Sequence, residues 1–113
     1  MAYEQGDIVW AWIPYTNQQD GEYKTVIVVS TRPSNRGKDV TVAVLTGQIA
    51  KSRRRPRDYI LRRWEDANLT EPRAMRPKVF VILKGHVGDR IGHIHDDDRP
   101  GMIACLKVLF GLE

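Results

Sequence analysis

The stretch Lys24-Thr25-Val26-Ile27-Val28-Val29-Ser30 is the most strand-like part of the chain. Four consecutive β-branched residues follow Thr25, so apolar side chains point to both faces of a strand predicted over 25–31. A strand that is apolar on both faces is typical of the centre of a sheet that is covered on both sides. The ammonium of Lys24 lies where this strand meets a polar loop, residues 15–23, and rigid strand ends that present polar groups suit chemistry.

Other apolar stretches predict the rest of the sheet. Further strands are predicted over residues 8–13, 40–45, 58–61, 78–83 and 91–94, with irregular segments at 72–77 and 85–92. Pro14 ends the first strand, because proline cannot donate to a central ladder. On that strand Trp10 and Trp12 share one face, and we interpret them as core or subunit-contact residues, with RNA stacking as the alternative.

The end of the chain predicts a helix. Apolar residues recur at helical spacing from Met102 to Phe110, Pro100 suits a first turn, and Gly111 suits the position after a helix. Asp96-Asp97-Asp98 is interpreted as a set of N-terminal caps. The fold class is therefore α+β: a small, curled, mostly antiparallel sheet or SH3-like barrel with a C-terminal amphipathic helix, in one domain spanning residues 1–113.

Composition limits the classes of function. Cys105 is the only cysteine, which excludes an intramolecular disulfide and a cysteine-based zinc site and indicates a reducing, cytoplasmic setting. Neither a membrane-spanning run nor a signal peptide is predicted. His93 and His95 precede the three aspartates, but the spacing supplies no complete ligand set, so we predict no metal and no other cofactor.

Charge is concentrated in one segment. The net charge is +4, and residues 51–63 contain seven basic residues and one acid. Such a cluster indicates a nucleic-acid interface, with a solvated basic loop as the alternative. Antiparallel strands joined by the turn at 32–38 would bring Lys24 near Thr46, and a cation beside a hydroxyl can bind and polarise a phosphate. Alternatively, Lys24 is a surface lysine and Thr46 bonds the backbone at a strand end.

Four stretches in this order resemble the MazF/PemK family of toxin endoribonucleases. Residues 6–10 resemble the family's opening strand, and residues 21–30 resemble its Gly-x-x-Arg-Pro-x-x-Val strand. Residues 44–48 resemble the stretch that carries the family's active-site threonine. Residues 91–94, together with the acids and the helix that follow, resemble the family's C-terminal end. The resemblance covers nearly the whole chain. It departs at Lys24-Thr25, which replaces the family's Arg-Pro.

The resemblance implies a toxin of a type II toxin–antitoxin system that cleaves single-stranded RNA, as mRNA, without a metal. It implies a homodimer in the cytoplasm, with RNA and a cognate antitoxin as partners. Lys24 and Thr46 are then the candidate catalytic residues. The candidate RNA-binding residues are Gln18, Gln19, Asp20, Arg53, Arg54, Arg55, Arg57, Arg73 and Arg76.

The general acid and base are a second departure. Some family members carry an Arg and an Asp shortly before a Gln-Pro-Arg tripeptide. Aligning residues 71–73 with that tripeptide places Asn68 and Thr70 at those positions, which leaves Glu71 or Arg73 as substitutes. The alternative function is therefore a catalytically weakened module of the same fold that binds RNA or a protein. A small barrel that binds DNA or peptides is the third hypothesis.

Overall fold

One six-stranded antiparallel sheet forms the centre of the protein, in a computed structural model that describes residues 2–17 and 19–112. The strands are β1 (Asp7–Pro14), β2 (Gly21–Val28), β3 (Asp39–Thr46), β4 (Tyr59–Ile60), β5 (Ala74–Leu83) and β6 (Val87–His93). Their order across the sheet is β4-β5-β3-β2-β1-β6. A short helix, α1 (Ile49–Ser52), follows β3, and the C-terminal helix, α2 (Arg99–Phe110), completes the predicted α+β fold.

The β-branched run of β2 is buried on both faces, as predicted. Val26 and Val28 belong to one apolar cluster and Ile27 to another, and all three side chains are fully buried. The cluster around Ile27 also contains Met102 and Cys105, which are the buried residues of α2. Burying each of these aliphatic side chains contributes about 1.5–3 kcal/mol to stability.

The bounds of β2 differ from the prediction of 25–31. The strand begins at Gly21 because Tyr23 and Lys24 pair with Trp12 and Ala11 of β1 in a longer hairpin. The predicted polar loop of residues 15–23 is therefore reduced to 15–20, and Lys24 lies within the strand rather than before it. Cross-strand pairing outweighs the polar composition of this segment. Thr46 likewise is the last residue of β3 rather than the residue after it.

The two predicted irregular segments are largely strand. β5 begins at Ala74, and its residues 76–78 lie opposite Val44 alone, between the pairs Ala43–Val79 and Leu45–Met75. This bulge accommodates Pro77, which cannot donate to a regular ladder. β6 starts at Val87 and pairs with β1, although its glycines and charged residues resemble a turn. α1 was not predicted.

The three aspartates before α2 are only partly as predicted. They form a 3₁₀ turn, and Asp98 occupies the predicted N-cap position of α2 but is fully buried. Its carboxylate accepts hydrogen bonds from the backbone N–H groups of Arg62 (2.9 Å) and Arg63 (2.8 Å) and from the hydroxyl of Tyr59. Asp98 therefore fastens the segment after β4 to the start of α2, and within the described residues its side chain makes no capping bond.

Two buried groups beside α2 have shifted ionisation. Burial and the bond to Asp98 raise the pKa of the Tyr59 hydroxyl. Burial, followed by the charge of Asp58, raises the pKa of the Cys105 thiol to about 11. Cys105 is 4% exposed and packs in the core. Gly111 ends the helix in the left-handed conformation (φ 66°), as predicted.

Candidate active site

A groove of about 480 Å³ opens where β2 and β3 separate. The ladder between these strands reaches the pair Val26–Val44 and ends there, although both strands continue. Lys24 and Thr46 lie beyond that pair on the two separating strands. Both residues line the groove, so the fold brings this cation and this hydroxyl to one open space.

The groove is lined by cations, hydroxyls and aromatic rings. Its charged or hydroxyl-bearing side chains, apart from Tyr23, are Lys24, Thr25, Thr46, Arg73, Arg76 and Lys78. Among the described residues, no carboxylate lines it. Four cations around one open space make a strongly attractive site for an anion.

Lys24 is held by an acid at the edge of the groove. Its Nζ atom lies 3.0 Å from Oε1 of Glu22, and the two side chains are 38% and 48% exposed. The hydrogen bond from Lys24, and then its charge, lower the pKa of the Glu22 carboxyl. Since the pair remains partly exposed, the ammonium is accessible to a bound phosphate.

Arg73 is fixed more firmly. One terminal nitrogen, Nη1, donates to the carbonyl oxygen of Leu45 at 2.9 Å, and the other lies 3.0 Å from Oε1 of Glu71. A Cβ atom on Gly47 would lie 2.9 Å from that same carboxylate oxygen, so the Glu71 carboxylate lies close to the turn that follows β3. The groove edge therefore combines an immobilised guanidinium with an exposed carboxylate.

Arg76 has a buried carboxylate behind it. Oδ1 of Asp58, whose side chain is 2% exposed, lies 3.9 Å from Nε of Arg76. The hydroxyl of Ser52 donates to the other oxygen of Asp58 at 3.0 Å. Nε of Arg76 is buried and makes no hydrogen bond within the described part of the chain. Asp58 thus supplies the charge that balances Arg76.

Thr46 carries the hydroxyl of the site. Its Oγ1 atom accepts a hydrogen bond from the backbone N–H of Gln48 at 3.1 Å. That bond uses a lone pair of the oxygen, so the hydroxyl hydrogen can donate to an anion in the groove. The local turn after β3 therefore orients Thr46 for binding.

The structure brings together four of the predicted site residues. Lys24, Thr46, Arg73 and Arg76 all line the groove. Gln19 and Asp20 lie on the exposed β1–β2 loop, where their backbone N–H groups donate to the side chain of Asn17. Gln18 lies outside the described residues.

The arginines of the basic segment are not part of the groove lining. Arg53, Arg54 and Arg57 are exposed and Arg55 is half-buried, on turns that follow α1. None of these four side chains lines the groove. Their assignment to RNA binding, like that of Gln19 and Asp20, stays a prediction.

Sequence reasoning missed several groove residues. Trp10 is 43% exposed and lines the groove with Tyr23 and Phe80, so the core part of its interpretation is wrong. Its interpretations as a subunit contact and as an RNA-stacking residue stay predictions. For Lys78 and Phe80 the sequence pattern predicts only a strand. Their alternation with Arg76 along β5 was the available signal, because residues two apart share a face.

A second cluster of ionisable groups lies elsewhere. Ligand atoms of Glu4, Asp7 and His93 lie within 4.8 Å of one another. The buried Asp7 carboxylate already contacts Arg90 at 2.8 Å and Nδ1 of His93 at 2.8 Å, and Glu4 contacts Arg32 at 2.7 Å. These contacts explain the cluster as an ion-pair network.

Comparisons with solved structures identify the fold. The chain superposes on a mycobacterial endoribonuclease in complex with its cognate antitoxin (TM-score 0.76, 19% identity, 99% of this chain and 96% of that one). It also superposes on the Mycobacterium tuberculosis toxin MazF-mt6 (TM-score 0.72, 16% identity, 95% of this chain and 98% of that one). A third match is a MazE–MazF structure from Deinococcus radiodurans (TM-score 0.76, 12% identity, 100% of this chain and 99% of that one). At these identities the similarity shows the fold.

In the described part of the chain, no helix has the length and apolar character to cross a membrane.

The family assignment comes from the sequence. No curated protein matches the chain. The sequence model of the family described as PemK-like, MazF-like toxins of type II toxin–antitoxin systems matches residues 4–110. The chain therefore belongs to this toxin family.

Proposed function

We propose that the protein is a toxin endoribonuclease that cleaves single-stranded RNA without a metal ion. The observation that carries this proposal is the convergence of Lys24, Arg73, Arg76 and Lys78 on the groove that also holds the Thr46 hydroxyl. RNA is a polyanion whose phosphates such a groove attracts. Family membership and the endoribonuclease structures that share the fold support the same function.

The proposed reaction uses the RNA's own 2′-hydroxyl. Its oxygen attacks the adjacent phosphorus, the bond from phosphorus to the 5′-oxygen breaks, and a 2′,3′-cyclic phosphate remains. We assign Glu71 as the base that takes the 2′-hydroxyl proton, because its exposed carboxylate is held at the groove edge by Arg73. The leaving 5′-oxygen takes a proton from water.

The cations and Thr46 stabilise the phosphorane that forms during the attack. Lys24 and Arg76 balance its additional negative charge, and the Thr46 hydroxyl donates to a phosphate oxygen. Each preorganised donor of this kind increases the rate about 10²-fold to 10³-fold. The charge that a metal ion supplies in other nucleases is supplied here by side chains. A single strand suits this reaction, because its bases and phosphates are accessible.

The test is incubation of the pure protein with a long single-stranded RNA in excess chelator. We expect discrete fragments that end in cyclic phosphate, and a loss of about 10²-fold or more in Thr46→Ala. Thr46→Ser keeps the hydroxyl and should retain most of the rate. Intact RNA that is retarded in a gel, without harm to cell growth on expression, would instead identify a binding module. A preference for duplex DNA would favour the third hypothesis.

We also propose an antitoxin and a second copy of the chain as partners. Two of the structures that share the fold contain an antitoxin or MazE. An antitoxin segment that covers the cationic groove should be acidic. For the homodimer, four exposed apolar side chains are candidate contacts: Val81 (66%), Leu83 (55%), Phe110 (59%) and Leu112 (67%). Light scattering of wild type and Val81→Lys tests this assignment.

A further inference from the structure

Two aromatic rings lie beside the cations of the groove. The rings of Trp10 and Tyr23 stack with centroids 5.7 Å apart and planes inclined by 7°. Both residues line the groove, and they are 43% and 54% exposed. Large rings that stay exposed in a stacked arrangement have π surface available for another planar group.

The position of the pair is fixed by the β1–β2 hairpin. Tyr23 is paired with Trp12, and Trp12 contacts the Tyr23 ring edge-on at 5.2 Å and 67°. On the other side of β1, a Cβ atom on Gly88 would lie 3.1 Å from the Trp10 carbonyl oxygen and 3.5 Å from its ring. The Trp10 ring therefore lies beside Gly88 of β6 on one side and the Tyr23 ring on the other.

We propose that Trp10 and Tyr23 form a stacking site for an unpaired nucleobase of the bound strand. The inference rests on the proposed function, since it takes the groove to bind single-stranded RNA. Tyr23 and Lys24 both line the groove, so the site for a base adjoins a site for phosphate. Repeated phosphates beside planar bases are the chemistry of a single-stranded nucleic acid, and aromatic rings beside cations are the usual way to bind it.

A nucleobase fits this surface better than an apolar protein segment does. Four cations line the groove together with the rings, and among the described residues no carboxylate lines it. Lys78 lies 5.4 Å from the centre of the Phe80 ring, so cations and rings alternate in the lining. A purely apolar ligand would leave these charges desolvated and unpaired. In a nucleotide the base can stack on the rings while the phosphate pairs with the cations.

The test compares two labelled oligomers of about 12 nucleotides. One is a 2′-O-methylated RNA, which cannot be cleaved, and the other is an abasic ribose-phosphate chain of equal length and charge, methylated in the same way. We expect wild type to bind the base-containing oligomer about 5-fold to 100-fold more tightly. Tyr23→Leu and Trp10→Leu should lose that preference and keep their affinity for the abasic chain. Tyr23→Phe keeps the ring and should retain the preference.

Tyr15→Leu is the matched control, because Tyr15 is 48% exposed and does not line the groove. Equal affinities of wild type for the two oligomers would overturn the inference. Equal losses on both oligomers in Tyr23→Leu would also overturn it, because the ring would then act only through Lys24. The oligomers cannot be cleaved, so failure of the chain to cleave unmodified RNA would refute the proposed function without affecting this result.

Discussion

Glu22 and Lys24 form an ion pair beside the groove, with 3.0 Å between Oε1 and Nζ. The two residues are two positions apart on β2, so their side chains share a face of the strand. Because both side chains are partly exposed, their attraction is weakened by solvent and salt. A phosphate that approaches Lys24 therefore competes with Glu22, and the carboxylate limits the binding of RNA.

Glu22→Gln should increase the affinity for non-cleavable RNA by about twofold to fivefold. The reason is that the neutral amide of the variant no longer balances the charge of Lys24. Anisotropy titrations at several salt concentrations should also show a steeper salt dependence. If Glu22→Gln abolished cleavage and left the affinity for RNA unchanged, this role would be contradicted and Glu22 would be identified as a base.

The same ion pair makes stability depend on pH. Lys24 lowers the pKa of the Glu22 carboxyl, so the ion pair stabilises the fold above pH 4.5. This contribution is lost as the pH falls through the lowered pKa.

Lys24→Arg should retain cleavage and can increase it, because arginine keeps the charge and adds a bidentate fork. Lys24→Ala should reduce kcat/KM by about 10²-fold or more, since a cation at the developing phosphorane is lost. Single-turnover rates and thermal unfolding of both variants provide the measurement. A folded Lys24→Arg protein without activity would show that Lys24 does not occupy the position of the family's arginine.

Asp58 is expected to act through Arg76. Asp58→Asn removes the charge that faces Nε of Arg76, so Arg76 should lose its orientation and kcat/KM should fall about tenfold. Ser52→Ala removes only the hydrogen bond to Asp58 and should have a smaller effect in the same direction.

Asp39→Asn is the control for Asp58→Asn, because Asp39 is exposed at the start of β3, at the other end of that strand from Thr46. The decisive comparison is Asp58→Asn in an Arg76→Ala background. If Asp58 acts by positioning Arg76, the two substitutions together should cost little more than Arg76→Ala alone. Additive losses in activity would assign Asp58 a purely structural role.

The sequence predicted the centre of the fold because local pattern and burial agree there. The β-branched run of β2 needs no partner information to be recognised, and the repeat from Met102 to Phe110 is equally clear. The bulge around Pro77 depends on the register with β3, which no local pattern encodes. The pattern therefore does not place Arg76 and Lys78 in the groove, although Arg76 is among the predicted RNA-binding residues.

Where a sequence pattern fits more than one role for a residue, contacts with distant parts of the chain determine which role the residue has. Three consecutive aspartates before a helix usually indicate caps, and only the fold shows that Asp98 meets Tyr59 and the backbone of residues 62–63. Similarly, alternating Trp10 and Trp12 suggest burial, and only the hairpin geometry exposes Trp10. In both cases the partners lie on another segment, so sequence spacing could not identify them.

Asp98→Ala should destabilise the protein by about 3 kcal/mol or more. The substitution leaves three donors without their buried acceptor, and each unsatisfied group costs about 1–3 kcal/mol. Urea unfolding followed by circular dichroism gives the free energy of unfolding. Asp96→Ala is the matched control, because Asp96 is exposed in the same turn and should change stability by less than about 0.5 kcal/mol. Similar values for the two variants would show that Asp98 does not fasten α2.

Cys105 should make the protein less stable in alkali. Its pKa is raised from 9.0 to about 11 in the folded state, so the native protein binds this proton more tightly than the unfolded chain does. The contribution is complete below about pH 9 and is lost as the pH rises towards about 11. At about pH 10 the loss amounts to about 1 kcal/mol. Tyr59, whose pKa is also raised, adds to the alkaline instability of the wild type.

Comparison with Cys105→Ala isolates the thiol, because Tyr59 is present in both proteins. The difference in unfolding free energy between wild type and variant should be constant from neutral pH to about pH 9 and then shrink by about 1 kcal/mol by about pH 10. The thiol should also resist alkylation at neutral pH, since it is buried and protonated. A difference that stays constant across this range, or rapid alkylation of the folded protein, would mean that Cys105 ionises without opening the core.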